Sequence, residues 1–517
     1  MYRAAMMQSF EVQYPSHLSW RWLVPLLVLP VYILVRSIYL LKFHPLSKYP
    51  GPTMWAITRA PWAYHVMRGD LWLALDRFHD RYGPVVRIAP DELTYISPGV
   101  WPEIYNARPQ LNKDPHSLTP PLNGADSLFT AMGEDHRRIR AAFVNAFSDK
   151  ALRGQAVIIE DHASQFIARL ATEARAGSPV DIQRLVGYAT FDIISELTWG
   201  EAPRALQSSE GGPDWIQRFF LHAQFSTVRN CLTRLSPLDK ILWYFFLRIT
   251  SQQRIQNTRL STERIERRLS TPSTRSDFMT PLVNKITEHG DGKGITKSEV
   301  LTNGLAVVIA NSQLSTIAIT TAIYLLLRHP IQYGRLLAEI RAAPFDSAAA
   351  IDVSATASLP YLRAVLDEAL RLHHPTPGSM PRVVGHGGLV VNGEFVPAGT
   401  VVGVSLWNIQ TRPENFHLPR EFHPERFLPP TDPRYDPAFN RDCLNAYQPF
   451  SLGPRKCIGY KVFLAEARVL LTRLLWTFEL QLEDAHPTTW LKQRAWLVFE
   501  PKPLKVHIRN RQPLAAS

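Results

Sequence analysis

The chain has 517 residues, of which 45% are hydrophobic and 20% charged, a composition ordinary for a globular protein with a large core. Its three cysteines, Cys231, Cys443 and Cys457, are too few for a disulfide framework, which favours a reducing compartment. The formal net charge is +12, yet Lys and Arg are scattered and form no basic stripe with interleaved aromatic residues. Nucleic acid is therefore not expected as a partner, which leaves a solvated basic surface, an anionic membrane or an acidic redox protein.

A hydrophobic stretch from Trp20 to Leu41 contains two charged residues, Arg21 and Arg36, one near each end. About 20 apolar residues cross the core of a bilayer, and arginines near its edges can extend to the headgroups. No clear basic start or small-residue cleavage site marks the stretch as a cleaved signal peptide. We therefore predict a retained, single-pass membrane anchor, with a helix lying in the membrane interface as the alternative.

The residues after this stretch predict a boundary. Lys42 and Lys48 favour a cytosolic location for the rest of the chain, and the prolines of residues 45–52 bar a helix and indicate a stiff hinge. We assign residues 1–44 to a tail and membrane anchor helix, and residues 45–517 to one large folded domain.

Along that domain, residues 83–97 predict a β-hairpin, because two β-rich runs flank a Pro-Asp turn. Residues 107–128 are rich in Pro, Asn, Gly and Ser and indicate a long loop, and loops of that length tend to be functional. From residue 134 to residue 339 apolar positions recur at helical spacing. The predicted helices in this region are Asp161–Ala174, Asp192–Trp199, Trp215–Thr227, Ile255–Leu269 and Ile295–Arg328.

The last of these helices is nearly all apolar in its middle, so we expect it to cross the centre of the domain. Thr296 is its predicted N-cap, with Glu299 as the partner in a capping box. A shorter apolar run at residues 241–247 is interpreted as core, with a surface that dips into lipid as the alternative. A helix over Tyr361–His373, strand-like pieces over 382–407, a helix from about residue 458 and a small β-region come next. The pattern predicts a mainly α fold with smaller β regions.

The most informative segment runs from Phe450 to Gly459 and contains Arg455 and Cys457. Its glycines let the backbone approach a flat ligand and turn sharply. The thiol stands just before an apolar helix, and a helix N-terminus with nearby cations favours thiolate. Arg455 lies two residues before the thiol and could meet an anionic group of the same ligand. Taken alone, an inert buried cysteine in a glycine turn would remain the better interpretation.

Two further motifs favour a functional cysteine over an inert one. Glu368 and Arg371 are three residues apart on a predicted helix and so share one face, and Arg426 precedes Cys457 by 31 residues. The chain resembles the cytochrome P-450 family of haem-thiolate enzymes, whose cysteine signature Phe-x-x-Gly-x-Arg-x-Cys-x-Gly is matched at every defined position. It resembles members from the secondary metabolism of filamentous fungi. The resemblance implies a single cytochrome P-450 fold, haem b with Cys457 as axial thiolate, and a buried ionic network of the Glu and two Arg residues.

The resemblance also implies residues that bind the haem propionates. Where the family usually has Trp-x-x-x-Arg, this chain has His136 and Arg140. Arg382, which follows a Pro-x-Pro-Gly turn, and Arg455 complete the set. Three arginines facing two carboxylates are electrostatically sensible. Phe450 and Gly459 are expected to contact the cofactor as parts of the cysteine signature.

The central helix departs from the family. Where the family has Ala-Gly-x-Glu/Asp-Thr, this chain has Ala310-Asn311-Ser312-Gln313-Leu314. The acid and alcohol that normally relay protons are thus replaced by Gln313, which cannot ionise, and Leu314, which cannot hydrogen-bond. Ser315 points about 100° away from Leu314 unless the helix bulges. Substrate groups, Ser312 or Ser315 could serve instead, or the enzyme catalyses a reaction that tolerates poor proton relay; neutral drift is a further alternative.

The resemblance implies a monooxygenase that uses O₂ and NADPH-derived electrons to hydroxylate, epoxidise, desaturate or couple a hydrophobic secondary metabolite. Terpenoid, polyketide and alkaloid substrates all remain open. The expected partners are a membrane-bound NADPH-cytochrome P-450 reductase and membrane lipid, with the protein at the endoplasmic reticulum and its catalytic domain in the cytosol. The family layout implies pocket contributions from the 107–128 loop, Ile309–Leu314, Gly378–Met380 and Ala495–Leu497.

Two other functions remain as alternatives. A haem-thiolate isomerase or rearrangement enzyme would need no reductase, and consumption of NADPH during turnover separates it from a monooxygenase. A non-catalytic membrane scaffold is disfavoured, because intact Cys457, Glu368, Arg371 and Arg426 would have no use in it.

Overall fold

The computed structural model describes residues 20–118, 123–208, 224–234, 239–271, 276–283, 285–287, 294–483 and 489–511. The structure is mainly α with smaller β regions, as the sequence predicts. Its α-helices are Trp20–Ile38, Thr53–Ile57, Ala60–Arg68, Leu71–Tyr82, Val100–Tyr105, Gly133–Phe143, Asp149–Ala176, Ile182–Trp199, Asp239–Ser270, Thr280–Val283, Lys297–Arg328, Pro330–Ala342, Pro360–Leu372, Leu406–Gln410 and Tyr460–Thr477. Below, Lys297–Arg328 is called the central helix and Tyr460–Thr477 the cysteine helix.

The described strands form small sheets. They are β1 (Val85–Ala89), β2 (Glu92–Tyr95), β3 (Asn112–Lys113), β4 (Val180–Asp181), β5 (Ile286–Thr287), β6 (Ile295–Thr296), β7 (Arg382–Val383), β8 (Leu389–Val391), β9 (Glu394–Val396), β10 (Val401–Val404), β11 (Phe478–Leu482), β12 (Ala495–Trp496), β13 (Val498–Phe499) and β14 (Lys505–Asn510). The largest sheet has the order β1-β2-β10-β7-β3, and the predicted hairpin is its antiparallel β1–β2 pair, with Val85 opposite Tyr95.

The central helix lies in the main hydrophobic core, as its apolar middle predicts. The predicted capping box is present: the Thr296 side chain accepts a hydrogen bond from the Glu299 backbone, and the Glu299 carboxylate accepts one from the Thr296 backbone. The helix packs against Ile182–Trp199, where the Thr190 and Thr316 hydroxyls lie 2.9 Å apart. It also packs against the cysteine helix. These contacts fix the central helix relative to the cysteine loop.

The described side chains of the apolar run at residues 241–247 are mostly exposed. The run lies at the start of helix Asp239–Ser270, and its described side chains include Ile241, Tyr244 and Phe245, which are between 58% and 60% exposed. The core interpretation is therefore wrong for these three side chains, which lie on the surface as the alternative requires. Of the predicted helix over 215–227, residues 215–223 lie outside the described residues, and residues 224–232 are helical.

The N-terminal helix Trp20–Ile38 continues into a π-helical turn, Tyr39–Phe43. Its described apolar side chains lie on the surface, and Val28, Leu29, Val31, Tyr32, Ile33, Leu34 and Val35 are each more than half exposed. Within the part of the chain that was searched, the central helix alone is long and apolar enough to cross a bilayer, and 67% of its apolar window is buried inside the protein. Burial in the protein core therefore explains why the central helix is so apolar.

Candidate active site

The cysteine loop is a compact turn between Phe450 and the cysteine helix. The Cys457 backbone N–H donates to the Phe450 carbonyl at 2.9 Å, and the Lys456 N–H donates to the Gly453 carbonyl at 3.0 Å. Gly453 has φ of +73°, and a Cβ there would lie 2.2 Å from the Tyr105 carbonyl oxygen. Only glycine fits both the conformation and the space at this position. These constraints fix the backbone of the loop that carries the thiol.

The Cys457 thiol is exposed although it lies deep in the protein, so it lines an internal cleft. Burial raises its pKa, while hydrogen bonds from the Gly459 and Tyr460 backbones and the charges of Arg140 and Lys456 lower it. The net direction is upward, opposite to the sequence expectation, because desolvation of a thiolate outweighs these donors and cations. A bound metal ion reverses this balance, since coordination deprotonates a thiol.

Phe450 and Gly459 flank the thiol in different ways. The Phe450 ring packs against the Tyr460 and Phe463 rings, with centroids 5.8 and 5.9 Å away. A Cβ at Gly459 would meet Phe147 at 3.9 Å, an ordinary contact, and Gly459 has φ of −87°. The surrounding protein therefore does not itself require glycine at position 459, and close approach of a ligand remains the explanation for it.

The structure brings together the four residues predicted to bind the propionates, which are His136, Arg140, Arg382 and Arg455. The pKa of His136 is lowered to about 3, first by burial and then by Arg455, Arg140, Lys113 and Arg382. The pKa of Arg455 is lowered to about 10 by burial, Arg382 and Arg140. His136 is thus a neutral imidazole among cations, and the cluster has the charge to bind an anion.

Several nitrogens of this cluster have no hydrogen-bond partner among the described residues. They are Nδ1 of His136 and both Nε and Nη1 of Arg455, and all three are buried. The remaining Arg455 nitrogen donates to the Ala131 carbonyl at 2.7 Å. Buried guanidinium donors without partners are costly, and carboxylates are the acceptors that match their geometry. The cluster therefore fits a ligand that carries carboxylates close to Cys457.

Lys113 belongs to the same cluster, and sequence reasoning misses it. It lies on β3, directly opposite Arg382 on β7, and its Nζ donates to the Phe129 carbonyl at 2.7 Å. Burial, Arg382 and Arg455 together hold the pKa of Lys113 well below its usual range. The sequence shows only a lysine in a long loop, because a two-residue strand gives no periodic pattern.

Glu368, Arg371 and Arg426 form one buried cluster. Arg371 Nε and Nη2 donate to the two Glu368 carboxylate oxygens at 2.6 and 2.8 Å, and Arg426 Nε donates to Oε1 at 3.2 Å. Arg371 also donates to the Gln410 and Pro419 carbonyls at 2.7 and 2.6 Å. The cluster therefore ties the helix Pro360–Leu372 to the irregular segment that leads to the cysteine loop.

Asp442 is a fourth member that sequence reasoning does not identify. It accepts a hydrogen bond from Arg426 Nη1, and its other oxygen accepts one from the His417 backbone at 2.6 Å. Its addition balances two carboxylates against two guanidinium groups, and all four side chains are buried. Burial of such charges is tolerable because each is paired and hydrogen-bonded. No motif marks Asp442, since it stands in a loop.

The cytochrome P450 family model matches residues 49–508. The chain is 36% identical to the cytochrome P450 monooxygenase stcF of Emericella nidulans over 490 residues, which cover 94% of this chain and 99% of the relative. It is 35% identical to averantin hydroxylase of Dothistroma septosporum over 484 residues, 93% of this chain and 90% of the relative. It is 34% identical to versicolorin B desaturase stcL of Emericella nidulans, over 93% of this chain and 97% of the relative.

The chain belongs to the cytochrome P450 family. It is accordingly a cytochrome P450 monooxygenase by family, and the family uses haem b with a cysteine thiolate as axial ligand. The residues present fit that group: an accessible thiol in a fixed loop stands beside buried cations whose donors lack partners among the described residues. Cys457 would ligate the iron, and His136, Arg140, Arg382 and Arg455 would bind the propionates.

In this cytochrome P450 the segment predicted to activate oxygen, residues 310–315, lies in an unbroken α-helix, so no bulge turns Ser315 toward the position of Leu314. Leu314 packs against an apolar cluster that includes Trp72, Trp407 and Val498. Gln313 has a buried Nε2 without a partner among the described residues. Ser315 instead donates a hydrogen bond to the carboxylate of Glu466 on the cysteine helix. The local distortion that would let Ser315 replace the alcohol is absent from this segment.

Proposed function

We propose that this cytochrome P450 uses O₂ and electrons from NADPH to oxidise a hydrophobic secondary metabolite. The observation that carries the proposal is the fixed cysteine loop beside the cation cluster, because an accessible thiol and buried guanidinium donors without described partners together match a haem with its propionates. Haem b supplies the oxygen-activating chemistry when bound. The protein supplies the ligand, an orienting charge cluster and an apolar pocket.

The residues are proposed to act in three ways. Cys457 is the axial ligand, and the His136, Arg140, Arg382 and Arg455 cluster orients the cofactor through its carboxylates. The network around Glu368 is a positioning group, because it fixes the segment that carries the loop. Gln313, Leu314 and Ser315 form the degenerate oxygen-activation segment of the central helix.

The substrate pocket is proposed to be apolar on the side of Leu314. That side chain is half-buried and packs with Ile317, Val498 and Phe499, and Ala495 packs against the same cluster. An apolar wall favours an apolar substrate, because burial of its surface supplies the binding free energy. Relatives named averantin hydroxylase and versicolorin B desaturase favour a polyketide among the terpenoid, polyketide and alkaloid alternatives. Hydroxylation and desaturation are the two reactions that their names support.

The test combines a spectrum with a turnover measurement. Reduced holoenzyme should show the carbon-monoxide difference band of a thiolate-ligated haem, and Cys457→Ser should lose it while Cys443→Ser, a half-buried thiol outside the cleft, retains it. With a NADPH-cytochrome P450 reductase, NADPH should be consumed as product forms. Product formation without NADPH consumption would instead support the isomerase or rearrangement function, which the Gln313–Leu314 departure keeps as the second candidate.

We further propose that the protein is anchored in the endoplasmic reticulum membrane by its N-terminal helix, with the catalytic domain in the cytosol. In support, the described apolar side chains from Val28 to Val35 are exposed to solvent, a cost that lipid would remove. Exposed Ile241, Tyr244 and Phe245 offer a second lipid-facing surface. Deletion of residues 1–41 should shift the protein from the membrane fraction without loss of haem. Unchanged membrane association after the deletion would contradict the anchor.

A further inference from the structure

Two consecutive histidines stand at the end of the helix Pro360–Leu372, which carries Glu368 and Arg371. His373 is 1% exposed and His374 is 7% exposed, and neither has a part in the proposed function. Burial lowers the pKa of His373 to about 3 and that of His374 to about 4, against opposing hydrogen bonds to backbone carbonyls. Each ring is therefore neutral at ordinary pH and carries one N–H, so the nitrogen that holds the hydrogen can be inferred from its partners.

The partners of His374 select one tautomer. Its Nε2 lies 2.9 Å from the Pro449 carbonyl oxygen, which can only accept a hydrogen bond. Its Nδ1 lies 3.1 Å from the Thr376 backbone nitrogen and 3.0 Å from the Thr376 hydroxyl, and both of these groups can donate. A neutral ring therefore donates from Nε2 to Pro449 and accepts at Nδ1 from Thr376. The Thr376 carbonyl, which is also 3.1 Å from Nδ1, receives no hydrogen in this tautomer.

The carbonyl that His374 binds stands at the entrance to the cysteine loop. Pro449 has no N–H, so this carbonyl is its one backbone group that can form a hydrogen bond. The next residue, Phe450, accepts the hydrogen bond from the Cys457 N–H at 2.9 Å. Ser451 has φ of +62°, a left-handed conformation that is costly for a residue with a Cβ and persists only where its surroundings hold it. The bond from His374 is one of the restraints that hold this strained entrance.

His373 forms bonds of the same kind in another direction. Its Nε2 lies 3.1 Å from the Leu491 carbonyl oxygen and its Nδ1 lies 3.2 Å from the Thr321 hydroxyl, so it too donates from Nε2 and accepts at Nδ1. Its ring stacks on Phe499 with centroids 3.9 Å apart. His373 therefore binds the central helix and the C-terminal region, whereas His374 binds the entrance to the cysteine loop. The two rings share burial, charge and tautomer and differ in what they hold.

We propose that His374 is a positioning residue for the thiolate, because its Nε2–H bond to Pro449 fixes the entrance of the loop that carries Cys457. The proposal rests on Cys457 as the axial ligand of the proposed function. The backbones of Gly459 and Tyr460 donate hydrogen bonds to the Cys457 sulfur, and their direction depends on the shape of the loop. Hydrogen bonds of this kind draw electron density from the sulfur and raise the reduction potential of the haem. Release of the loop at Pro449 should aim these donors less well and lower that potential.

The first test compares two amides at position 374 in the holoenzyme. The amide nitrogen of glutamine reaches about as far as Nε2 of histidine and can keep the bond to Pro449, whereas that of asparagine reaches only about as far as Nδ1 and loses it. His374→Asn should shift the haem reduction potential to more negative values and lose the thiolate band several times faster than the parent, while His374→Gln should stay close to the parent. His373→Asn, which loses a bond to a carbonyl away from the loop, is the matched control: its thermal midpoint should fall and its potential should not change.

The outcomes of this comparison are distinct. A parent-like potential in His374→Asn overturns the proposal. An equal shift in His374→Gln would show that the bond to Pro449 is not the cause, and an equal shift in His373→Asn would show that loss of stability alone moves the potential. Either result also overturns the proposal.

The second test reads the tautomer in the parent and so does not depend on how well a variant folds. Reduced holoenzyme with bound carbon monoxide is diamagnetic, and nitrogen-15 NMR of its histidine side chains distinguishes a ring nitrogen with hydrogen from one without. The signals of His374 are those that disappear in His374→Gln, and we expect hydrogen on Nε2 and none on Nδ1 at neutral pH. Hydrogen on Nδ1 overturns the proposal. Absence of the thiolate band from the parent enzyme would instead contradict the proposed function.

Discussion

Lys113 and Arg382 lie directly opposite each other in the antiparallel pairing of β3 with β7, and burial lowers the pKa of both. Like charges at directly opposed positions destabilise a sheet. Here Arg455 adds to the repulsion on Lys113. An arrangement of this kind is sensible where an anion binds between the cations. The pair therefore predicts that Lys113 contributes to cofactor retention.

Lys113→Met should speed the loss of haem, because it removes one member of the cation cluster that is proposed to bind the propionates. It should also make the haem-free protein slightly more stable, because the cross-strand repulsion is relieved. Haem transfer to an excess of apomyoglobin measures the first effect, and thermal unfolding of haem-free protein measures the second. Lys505→Met, an exposed strand lysine, is the control and should change neither. Unaltered haem loss in Lys113→Met would contradict the role.

His136 predicts a difference between two replacements. Burial among the four cations lowers the pKa of His136 to about 3, so the imidazole is neutral at ordinary pH when no carboxylate lies beside it, and it can donate through one ring N–H without a fixed charge. His136→Trp keeps a ring N–H donor and should retain haem, whereas His136→Leu should release it several times faster. Haem retention in both should be measured by the thiolate band over time. Equal retention by the two variants would show that donation from position 136 is unimportant.

Asp442→Asn is expected to destabilise the cysteine loop. It removes one of the two carboxylates paired with Arg426 and leaves Arg371 and Arg426 to share Glu368, and loss of a partner from a buried pair costs about 3–5 kcal/mol. The thermal midpoint of unfolding should fall. The variant should also lose the carbon-monoxide band of thiolate-ligated haem at a lower temperature than the parent does. Asp346→Asn, at an exposed position, is the control. A midpoint equal to that of the control would contradict the pairing.

Much of the fold can be predicted because its patterns are local. The capping box at Thr296 and Glu299 involves residues three apart, and the hairpin around the Pro-Asp turn spans about a dozen residues. Composition cannot reveal whether an apolar run faces solvent. This is why the run at 241–247, three of whose side chains are exposed, resembles core in the sequence.

The site likewise contains local pairs, which the sequence shows, and tertiary contacts, which it does not show. Glu368 and Arg371 lie on one helical turn and are visible in the sequence, whereas Lys113, Asp442 and Glu466 join the site only through tertiary contacts. Their partners are from 16 to 269 residues away along the chain. Spacing also predicts a lower pKa for the Cys457 thiol, but desolvation is a property of the folded interior and reverses the direction.

Glu466 also predicts a pH dependence of stability. Its pKa is 4.5 in the unfolded chain and about 8 in the native protein. Between these values the unfolded state has lost a proton that the native state keeps, so its free energy of unfolding falls as pH rises through this window. Glu466→Gln should remove that part of the decline. The difference in thermal midpoint between variant and parent, measured near pH 4.5 and near pH 8, should therefore shift in favour of the variant; a constant difference would contradict the raised pKa.

Leu314→Thr tests whether proton relay limits the enzyme. A hydroxyl at this position would restore the alcohol of the family pattern and should raise the fraction of NADPH recovered as product if relay is limiting. Leu314→Val is the matched control, because Val has nearly the shape of Thr without the hydroxyl, and both replacements shorten a side chain that packs against the same apolar cluster. A gain in Thr but not in Val assigns the effect to the hydroxyl. Equal product yield in the Thr and Val variants would show that the missing hydroxyl does not limit proton relay.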